Sequence, residues 1–181
     1  MSNMRDDIEE VLYDEGQLRE KIKEMGESIS KDYEGKDLIL IGVLKGSVIF
    51  MSDLLKEITI PCMMDFMAVS SYGNNSTTSG VVRILKDLDY EIENKHVIIV
   101  EDIVDTGTTL RYLVDYLRRR NPASIEIAAL LNKKEARMVD VDSKYTGFVV
   151  KDKFLVGYGL DYAEKYRNLP YIGILKEKIY R

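Results

Sequence analysis

The sequence predicts a single α/β domain with a mainly parallel sheet, and three observations lead to that prediction. The chain has 181 residues, the size of one domain that can bury a core of its own. Short apolar runs alternate with segments whose apolar residues recur at helical spacing. A strand, a helix and a second strand in this order are usually joined by a right-handed crossover, which makes the two strands parallel.

The first half of the chain supplies such a crossover. Apolar residues at helical spacing predict an amphipathic helix over Gln17–Asp32. The wholly apolar run Leu38–Val43 predicts a buried strand, because a strand covered on both faces loses its alternation of polar and apolar residues. Ser47–Ile58 has its apolar residues on one side and predicts a second helix, and Cys62–Val69 predicts the second strand.

The second half repeats the alternation of strands with a helix. The predicted strands are Val81–Leu85, His96–Val100, Ile125–Leu131, Gly147–Val150 and Tyr171–Leu175, and the predicted helix is Thr108–Arg120. Between the two halves, the polar stretch Ser70–Gly80 contains almost nothing that could anchor it in a core. It is either a plain surface loop or a mobile lid, since long polar loops in compact domains often have a function.

The composition argues against several classes of protein. No apolar run approaches the roughly 20 residues of a membrane span, and the polar, acidic N-terminus does not fit a signal peptide. The single cysteine, Cys62, cannot form an internal disulfide, so we expect a cytoplasmic protein. Acidic residues outnumber basic ones by 31 to 26, which argues against a nucleic-acid binder.

The segment Val97–Leu110 (VIIVEDIVDTGTTL) contains most of the functional information. A hydrophobic strand ends in two acids, and a Thr/Gly-rich turn then opens a helix. In an open α/β sheet, ligands bind beyond the carboxyl ends of the strands. The N–H groups at a helix N-terminus can bind phosphate there. The residues of this predicted phosphate cradle are Thr106, Gly107, Thr108 and Thr109.

Glu101 and Asp102 stand beside the cradle, where a site for phosphate alone would not hold carboxylates. Two adjacent acids fit a ligand that also presents sugar hydroxyls or Mg²⁺, so a phosphorylated sugar is predicted. One histidine and one cysteine are too few for a zinc cluster. The segment is neither a Walker P-loop nor a GxGxxG dinucleotide motif, because it lacks both patterns.

This segment resembles the phosphoribosyl pyrophosphate signature of type I phosphoribosyltransferases, in which a hydrophobic strand, two acids and two variable residues precede D-T-G-x-T. The resemblance implies that family's fold, a central, mainly parallel sheet flanked by helices, with a small purine-binding hood. It implies that Asp105–Thr109 bind the 5′-phosphate and that Glu101 and Asp102 hold the ribose hydroxyls and Mg²⁺. Asp105 would also be the general base that takes a proton from purine N7. Some relatives have lysine at position 108, where Thr108 still offers a donor.

Two loops resemble further parts of the same family. Leu44–Ser47 (LKGS) resembles its pyrophosphate-binding loop, which implies an unusual backbone geometry at Leu44-Lys45 and pyrophosphate contacts from Lys45 and Gly46. Ser70–Leu88 resembles the flexible catalytic loop of hypoxanthine-guanine phosphoribosyltransferases, with Ser71 and Tyr72 as its recurrent pair. Closing such a loop would keep water away from a reactive ribosyl cation.

Lys151–Leu169 (KDKFLVGYGLDYAEKYRNL) resembles the purine-binding hood of the same enzymes. The resemblance implies that Phe154 stacks on the purine and that Lys153 donates to its 6-oxo group, with Lys133 near the same oxygen. A lysine donor selects hypoxanthine and guanine against adenine. The remaining implied roles are backbone contact with the purine's 2-position by Leu155, Mg²⁺ coordination by Asp161 and pyrophosphate binding by Arg167.

The resemblance extends over about Leu38–Leu175 and implies a Mg²⁺-dependent purine salvage enzyme that forms a homodimer or homotetramer. Its small-molecule substrates would be phosphoribosyl pyrophosphate with hypoxanthine or guanine, and its products IMP or GMP and pyrophosphate. Residues 1–181 would form one domain, with a core at about 35–135 and a hood from the N-terminal segment and about 145–181. Two alternatives stay open: a phosphoribosyl pyrophosphate-binding regulator without catalysis, and a xanthine-preferring phosphoribosyltransferase.

Overall fold

A computed structural model describes residues 4–72 and 81–181 of the protein, apart from the side chains of residues 71, 72 and 81. The predicted flexible-loop residues Ser71 and Tyr72 end a strand, while residues 73–80 of that loop lie outside the described residues. None of the described helices is long and apolar enough to cross a membrane.

The centre of the molecule is a six-stranded sheet with the strand order β4-β3-β2-β5-β6-β7. Neighbouring strands are parallel except at one edge, where β3 and β4 are antiparallel. The predicted fold class, a mainly parallel sheet flanked by helices, is therefore confirmed. The strands are β2 (Leu38–Leu44), β3 (Cys62–Tyr72), β4 (Val81–Lys86), β5 (His96–Val104), β6 (Ser124–Asn132) and β7 (Tyr145–Val149).

Helices cover both faces of this sheet. The helices are α1 (Glu15–Asp32), α2 (Val48–Glu57), α3 (Thr108–Arg118) and, after the last strand, α4 (Glu177–Tyr180). Helices α1 and α2 share one hydrophobic core, and α3 packs in a second. A capping box begins α1: Asp14 accepts from the backbone N–H of Gln17 at 2.9 Å, and the Gln17 side chain accepts from the N–H of Asp14 at 3.0 Å.

Strand β2 is apolar throughout because successive side chains enter opposite cores. Leu38 and Leu40 pack with α1 and α2, while Ile39 and Ile41 pack with α3. All four side chains are at most 1% exposed. Burying a side chain of this size stabilises the fold by about 1.5–3 kcal/mol, so both faces of the strand contribute to stability.

A second, antiparallel sheet has three strands in the order β1-β9-β8. We use the name hood for this sheet together with the loop Val150–Phe154 and the chain between β8 and β9. Its strands are β1 (Ile8–Tyr13), β8 (Leu155–Val156) and β9 (Ile172–Leu175). The sequence did not predict β1, because IEEVLY buries only Ile8 and shows no clear alternation. Strand β8 has two residues, which is too short for any periodicity.

Strand β7 belongs to the central sheet, whereas the sequence analysis assigned the chain from about residue 145 to the hood. Tyr145–Val149 pairs in parallel with β6, from Ala128 opposite Tyr145 to Asn132 opposite Val149. Tyr145 is buried in the core beneath α1 and α2, which anchors the strand there. The central sheet therefore continues to Val149, and the hood begins after it.

Candidate active site

Strand β5 brings two acids to the carboxyl edge of the central sheet. It continues four residues beyond its predicted end at Val100, because Glu101, Ile103 and Val104 still pair with β6. Glu101 and Asp102 therefore lie within the strand and not after it. Glu101 is buried, with 9% of its surface exposed, and Asp102 is partly buried.

The turn after β5 forms the predicted cradle at the start of α3. Gly107 precedes the helix with a φ of 83°, a left-handed conformation that glycine adopts without steric cost. Gly107, the residue that precedes α3, has no side chain to cap the helix. The Thr108 N–H donates a long hydrogen bond of 3.4 Å to Oγ1 of Thr106, and the N–H groups of Thr109 and Leu110 that follow can bind an anion. The hydroxyl of Thr106 lies 3.3 Å from that of Thr108 beside this turn.

A cavity of about 300 Å³ joins the acids to the cradle. Thr108 is exposed and does not line it. The predicted residues that do line it are Gly46, Glu101, Asp102, Asp105, Thr106, Gly107 and Thr109. One concave site therefore holds most of the residues that the sequence analysis assigned to phosphate and ribose.

Both acids in this cavity have raised pKa values. Burial, followed by the neighbouring charge of Asp102, raises the pKa of Glu101 well above its ordinary value. Burial also raises the pKa of Asp102 to about 6, although two backbone hydrogen bonds and the charge of Arg167 act in the opposite direction. A cation or a set of hydroxyl donors in the cavity would compensate these carboxylates for their lost hydration.

The loop after β2 packs closely against Asp102. The Leu44-Lys45 peptide bond is cis. The family resemblance implied an unusual backbone geometry at these two residues, and the cis bond is that geometry. A Cβ atom on Gly46 would lie 1.8 Å from Oδ2 of Asp102, so any other residue at this position would force the loop or the Asp102 side chain to move. Gly159 of the hood, with a φ of 101°, packs against Gly46 in turn, since a Cβ atom there would lie 2.1 Å from the Gly46 carbonyl oxygen.

One carboxylate links the two cations assigned to pyrophosphate. Oε2 of Glu164 lies 3.2 Å from Nζ of Lys45 and 3.5 Å from Nη2 of Arg167. Arg167 also pairs with Asp161 at 2.9 Å and donates to the Gly159 carbonyl at 2.7 Å. The sequence analysis missed Glu164, because an isolated exposed glutamate belongs to no recognisable pattern.

Lys133 connects the cradle to the hood. Its backbone N–H donates to the Val104 carbonyl at 2.9 Å, and its side chain is only 10% exposed. Its Nζ lies 3.0 Å from Asp152 of the hood and 3.9 Å from Oδ2 of Asp105. The structure therefore brings the candidate base and a candidate purine donor together, and it adds Asp152, which the sequence analysis did not single out.

A second cavity, of about 400 Å³, lies at the hood and is lined by Lys133, Lys153 and Phe154 among others. The ring of Phe154 is partly buried and stacks on Tyr180, with ring centroids 4.7 Å apart. Leu155 is buried in β8, where it pairs with Ile174. Tyr180 was not predicted as part of the site, since a lone aromatic near the end of a chain gives no signal.

Magnesium fits the chemistry of these donors only as an ion shared with a ligand. No three His, Cys, Asp or Glu side chains converge as a metal site in residues 4–72 and 81–181. Mg²⁺ is commonly bound by one or two carboxylates, by substrate phosphates and by water. Glu101, which is buried, and Asp102, which is partly buried, both have raised pKa values and suit that partial role.

A phosphate cradle and two acids at the carboxyl edge of a parallel sheet, together with a hood, define the phosphoribosyltransferase class. The chain belongs to the phosphoribosyl transferase family, because the family model described as "Phosphoribosyl transferase domain" matches residues 10–163. Within that family its sequence groups with hypoxanthine-guanine phosphoribosyltransferases.

Three similar proteins illustrate this grouping. The hypoxanthine-guanine phosphoribosyltransferase of Streptococcus mutans is 52% identical over 177 residues, and that of Bacillus subtilis is 50% identical, each match covering 98% of both chains. The crystal structure of a hypoxanthine phosphoribosyltransferase from Staphylococcus aureus superposes with a TM-score of 0.96 at 49% identity, covering 99% of this chain and 98% of that one.

A longer relative contains a similar segment. The bifunctional protein TilS/HprT of Listeria monocytogenes is 51% identical over 178 residues. The chain spans 28% of the length of that protein.

Proposed function

We propose that the protein transfers the 5-phosphoribosyl group of phosphoribosyl pyrophosphate to hypoxanthine or guanine, giving IMP or GMP and pyrophosphate. The position of Lys133 is the main support: its ammonium group lies 3.9 Å from Asp105 at the cradle and lines the cavity of the hood. A sugar-phosphate site and a purine site are thereby adjacent. The names of the similar proteins agree with this activity.

The sugar phosphate occupies the cavity at the end of β5. The N–H groups of the first turn of α3 and the hydroxyls of Thr106 and Thr109 bind the 5′-phosphate, and Gly107 allows close approach of the backbone. Glu101 and Asp102 accept hydrogen bonds from the ribose hydroxyls. Mg²⁺, held by these carboxylates together with ligand oxygens, would neutralise charge on the departing pyrophosphate.

The pyrophosphate lies against the loop after β2. Lys45 of this loop and Arg167 of the hood meet at Oε2 of Glu164, which pairs with both cations. Backbone N–H groups near Gly46 and the two cations form charge-assisted hydrogen bonds to the leaving group. Asp161, the third predicted Mg²⁺ ligand, is 2.9 Å from Arg167 and can turn to a cation when that arginine binds phosphate.

The purine lies on Phe154 in the cavity of the hood. Lys133 and Lys153 donate to its 6-oxo group, while the backbone at Leu155 meets its 2-position. The 6-amino group of adenine is itself a donor, so it would leave a lysine unpaired, and this selects against adenine. Tolerance of xanthine depends on the 2-position, where the residues named here do not exclude an oxo group.

Asp105 is the general base of the transfer. Its side chain is 53% exposed at the mouth of the cavity, where it can reach the acceptor base. As N9 forms its bond to the anomeric carbon and the bond to pyrophosphate breaks, Asp105 takes the proton from N7. The ammonium group of Lys133 lies 3.9 Å from Oδ2 of Asp105, on the side of the hood cavity from which the purine would approach.

An absorbance assay of nucleotide formation tests this function. The purified protein is mixed with phosphoribosyl pyrophosphate and Mg²⁺, and hypoxanthine, guanine, xanthine and adenine are added in separate reactions. We expect fast conversion of hypoxanthine and guanine and none of adenine. Tight binding of phosphoribosyl pyrophosphate without turnover of any purine would instead identify a regulator. Faster turnover of xanthine would identify the other alternative. We further propose that the protein is cytoplasmic and that it forms a homodimer or homotetramer. Sedimentation of the same preparation tests the oligomeric state.

A further inference from the structure

Three aromatic rings form a cluster around the proposed purine platform, two in the hood and one in α4, and we call them the aromatic cluster: Phe154, Tyr162 and Tyr180. The rings of Phe154 and Tyr180 stack with centroids 4.7 Å apart and an interplanar angle of 23°. The rings of Phe154 and Tyr162 meet at 87°, with centroids 5.4 Å apart. Both distances lie within the range in which aromatic pairs attract each other.

The C-terminal segment that carries Tyr180 is attached to the hood and to the residues just before β1 by hydrogen bonds. Leu175 N–H donates to the Phe154 carbonyl at 2.9 Å, so β9 is tied directly to the platform residue. Lys176 N–H donates to the Asp7 carbonyl at 2.9 Å, and its Nζ donates to the Asp6 carbonyl at 2.6 Å. These bonds fix the start of α4, and the helix then places Tyr180 on Phe154.

Tyr180 also lines the cavity of about 400 Å³ into which Lys133, Lys153 and Phe154 project. Its ring is only partly buried and packs at the edge of the small hydrophobic core of the hood. A phenylalanine ring at a cavity wall can rotate about its side-chain bonds, and a stacked neighbour restricts that rotation. Restricting the ring before the ligand arrives lowers the cost of ordering it on binding.

We propose that Tyr180 is a positioning residue for the purine: its stacking holds the Phe154 ring at the angle on which the purine lies. This inference rests on the proposed function, since it assigns Phe154 to the purine. It goes beyond that function by giving the C-terminal segment of the chain a part in acceptor binding. The effect is specific to the purine, because Tyr180 lies away from the cavity that binds the sugar phosphate.

Two substitutions test the stacking. Tyr180→Leu removes the ring and keeps an apolar side chain, and Tyr180→Phe keeps the ring and removes the hydroxyl. We expect Tyr180→Leu to raise KM for hypoxanthine and guanine by about threefold to tenfold, the equivalent of one aromatic pair. KM for phosphoribosyl pyrophosphate and kcat should change by less than twofold. Tyr180→Phe should behave as the unchanged protein.

A double-mutant cycle shows whether Tyr180 acts through Phe154. In a protein that already carries Phe154→Leu, adding Tyr180→Leu should not raise the purine KM further, because the platform is already lost. Tyr112→Leu on the exposed side of α3 is the matched control, and it should leave both KM values unchanged. Thermal unfolding of each variant accompanies the kinetics and identifies any variant that does not fold.

Several outcomes would overturn the inference. They are an unchanged or lower purine KM in Tyr180→Leu, an equal rise in both KM values, and an additive effect in the double variant. Should Tyr180→Leu fail to fold, Tyr180→Met, which also lacks the ring, replaces it and is judged by the same criteria. A raised purine KM in Tyr180→Phe would assign the effect to the hydroxyl and contradict the stacking. Absence of purine turnover in the unchanged protein would refute the proposed function itself, and this inference with it.

Discussion

Oε2 of Glu164 lies 3.2 Å from Nζ of Lys45, which links the hood to the loop after β2. The same carboxylate lies 3.5 Å from Arg167, so one internal anion pairs with both cations proposed for pyrophosphate. Hydrogen bonding and charge from Lys45 hold the pKa of Glu164 below its usual value. The Lys45 and Glu164 side chains are about two-thirds exposed, and water therefore screens their attraction. An incoming pyrophosphate, with more charge than one carboxylate, would displace Glu164 from both cations.

Glu164→Gln should therefore lower KM for phosphoribosyl pyrophosphate, by about twofold to fivefold for a screened pair of this kind. Inhibition by the product pyrophosphate should strengthen in parallel, because the same cations are released. Steady-state kinetics at two ionic strengths measure both effects, and the difference should shrink at high salt. Glu27→Gln, in an exposed ion pair with Lys23 on α1, is the control. A KM that stays the same or rises would contradict the competition.

Asp105→Asn should lower kcat by about 10²- to 10⁴-fold, the usual contribution of general acid–base catalysis. The amide keeps the shape of the carboxylate but cannot take a proton from the purine. KM for phosphoribosyl pyrophosphate should change little. Asp115→Asn, on the exposed surface of the following helix, is the control. A variant that keeps full turnover would remove Asp105 from the mechanism.

Stability without ligand or metal should depend on pH through Asp102. Burial raises the pKa of this carboxyl in the folded protein to about 6, above the ordinary value of about 3.9. The folded state thus binds this proton more tightly, so the contribution to stability is full below about pH 4 and is lost as the pH rises through about 6. Asp102→Asn cannot ionise, and at pH 7 it should be more stable than the unchanged protein by about 1–3 kcal/mol.

Urea unfolding between pH 4 and 7 in the presence of a chelator measures this difference. The two free energies of unfolding should converge as the pH falls to about 4. Glu20→Gln on the exposed side of α1 is the control and should follow the unchanged protein throughout. Equal stabilities of Asp102→Asn and the unchanged protein at pH 7 would show that the buried carboxylate is compensated in some other way.

Gly46→Ala should reduce kcat/KM for phosphoribosyl pyrophosphate by about 10- to 100-fold. The added carbon would lie 1.8 Å from Oδ2 of Asp102, so either the loop or the acid must move. Displacements near 1 Å at a reacting site commonly have effects of this size. Gly16→Ala at the start of α1, where the nearest atom would be 3.2 Å away, should leave the kinetics unchanged. Full activity of Gly46→Ala would show that the contact is not needed.

The elements predicted best from the sequence were those with a strong local pattern. The apolar run in β2 and the helical spacing in α1 identified both elements to within two residues. Strand β1 was missed, because its six residues bury a single side chain, and the pairing that makes it a strand comes from β9. The extension of β5 to Val104 was also missed, since it depends on pairing with β6 and not on local hydrophobicity.

The sequence by itself determined the central sheet and the phosphate cradle. In Val97–Leu110 the strand, the acids, the turn and the helix start are contiguous, so their relative placement follows from local backbone geometry. Only the tertiary structure decided which distant groups meet there. Glu164 reaches Lys45 across 119 positions of the chain, and Tyr180 of α4 stacks on Phe154 in the loop before β8. Such contacts depend on how loops pack against one another. The periodicity of apolar residues in a sequence indicates which side chains are buried and which backbone conformation is preferred, but it does not indicate which distant residue a side chain contacts.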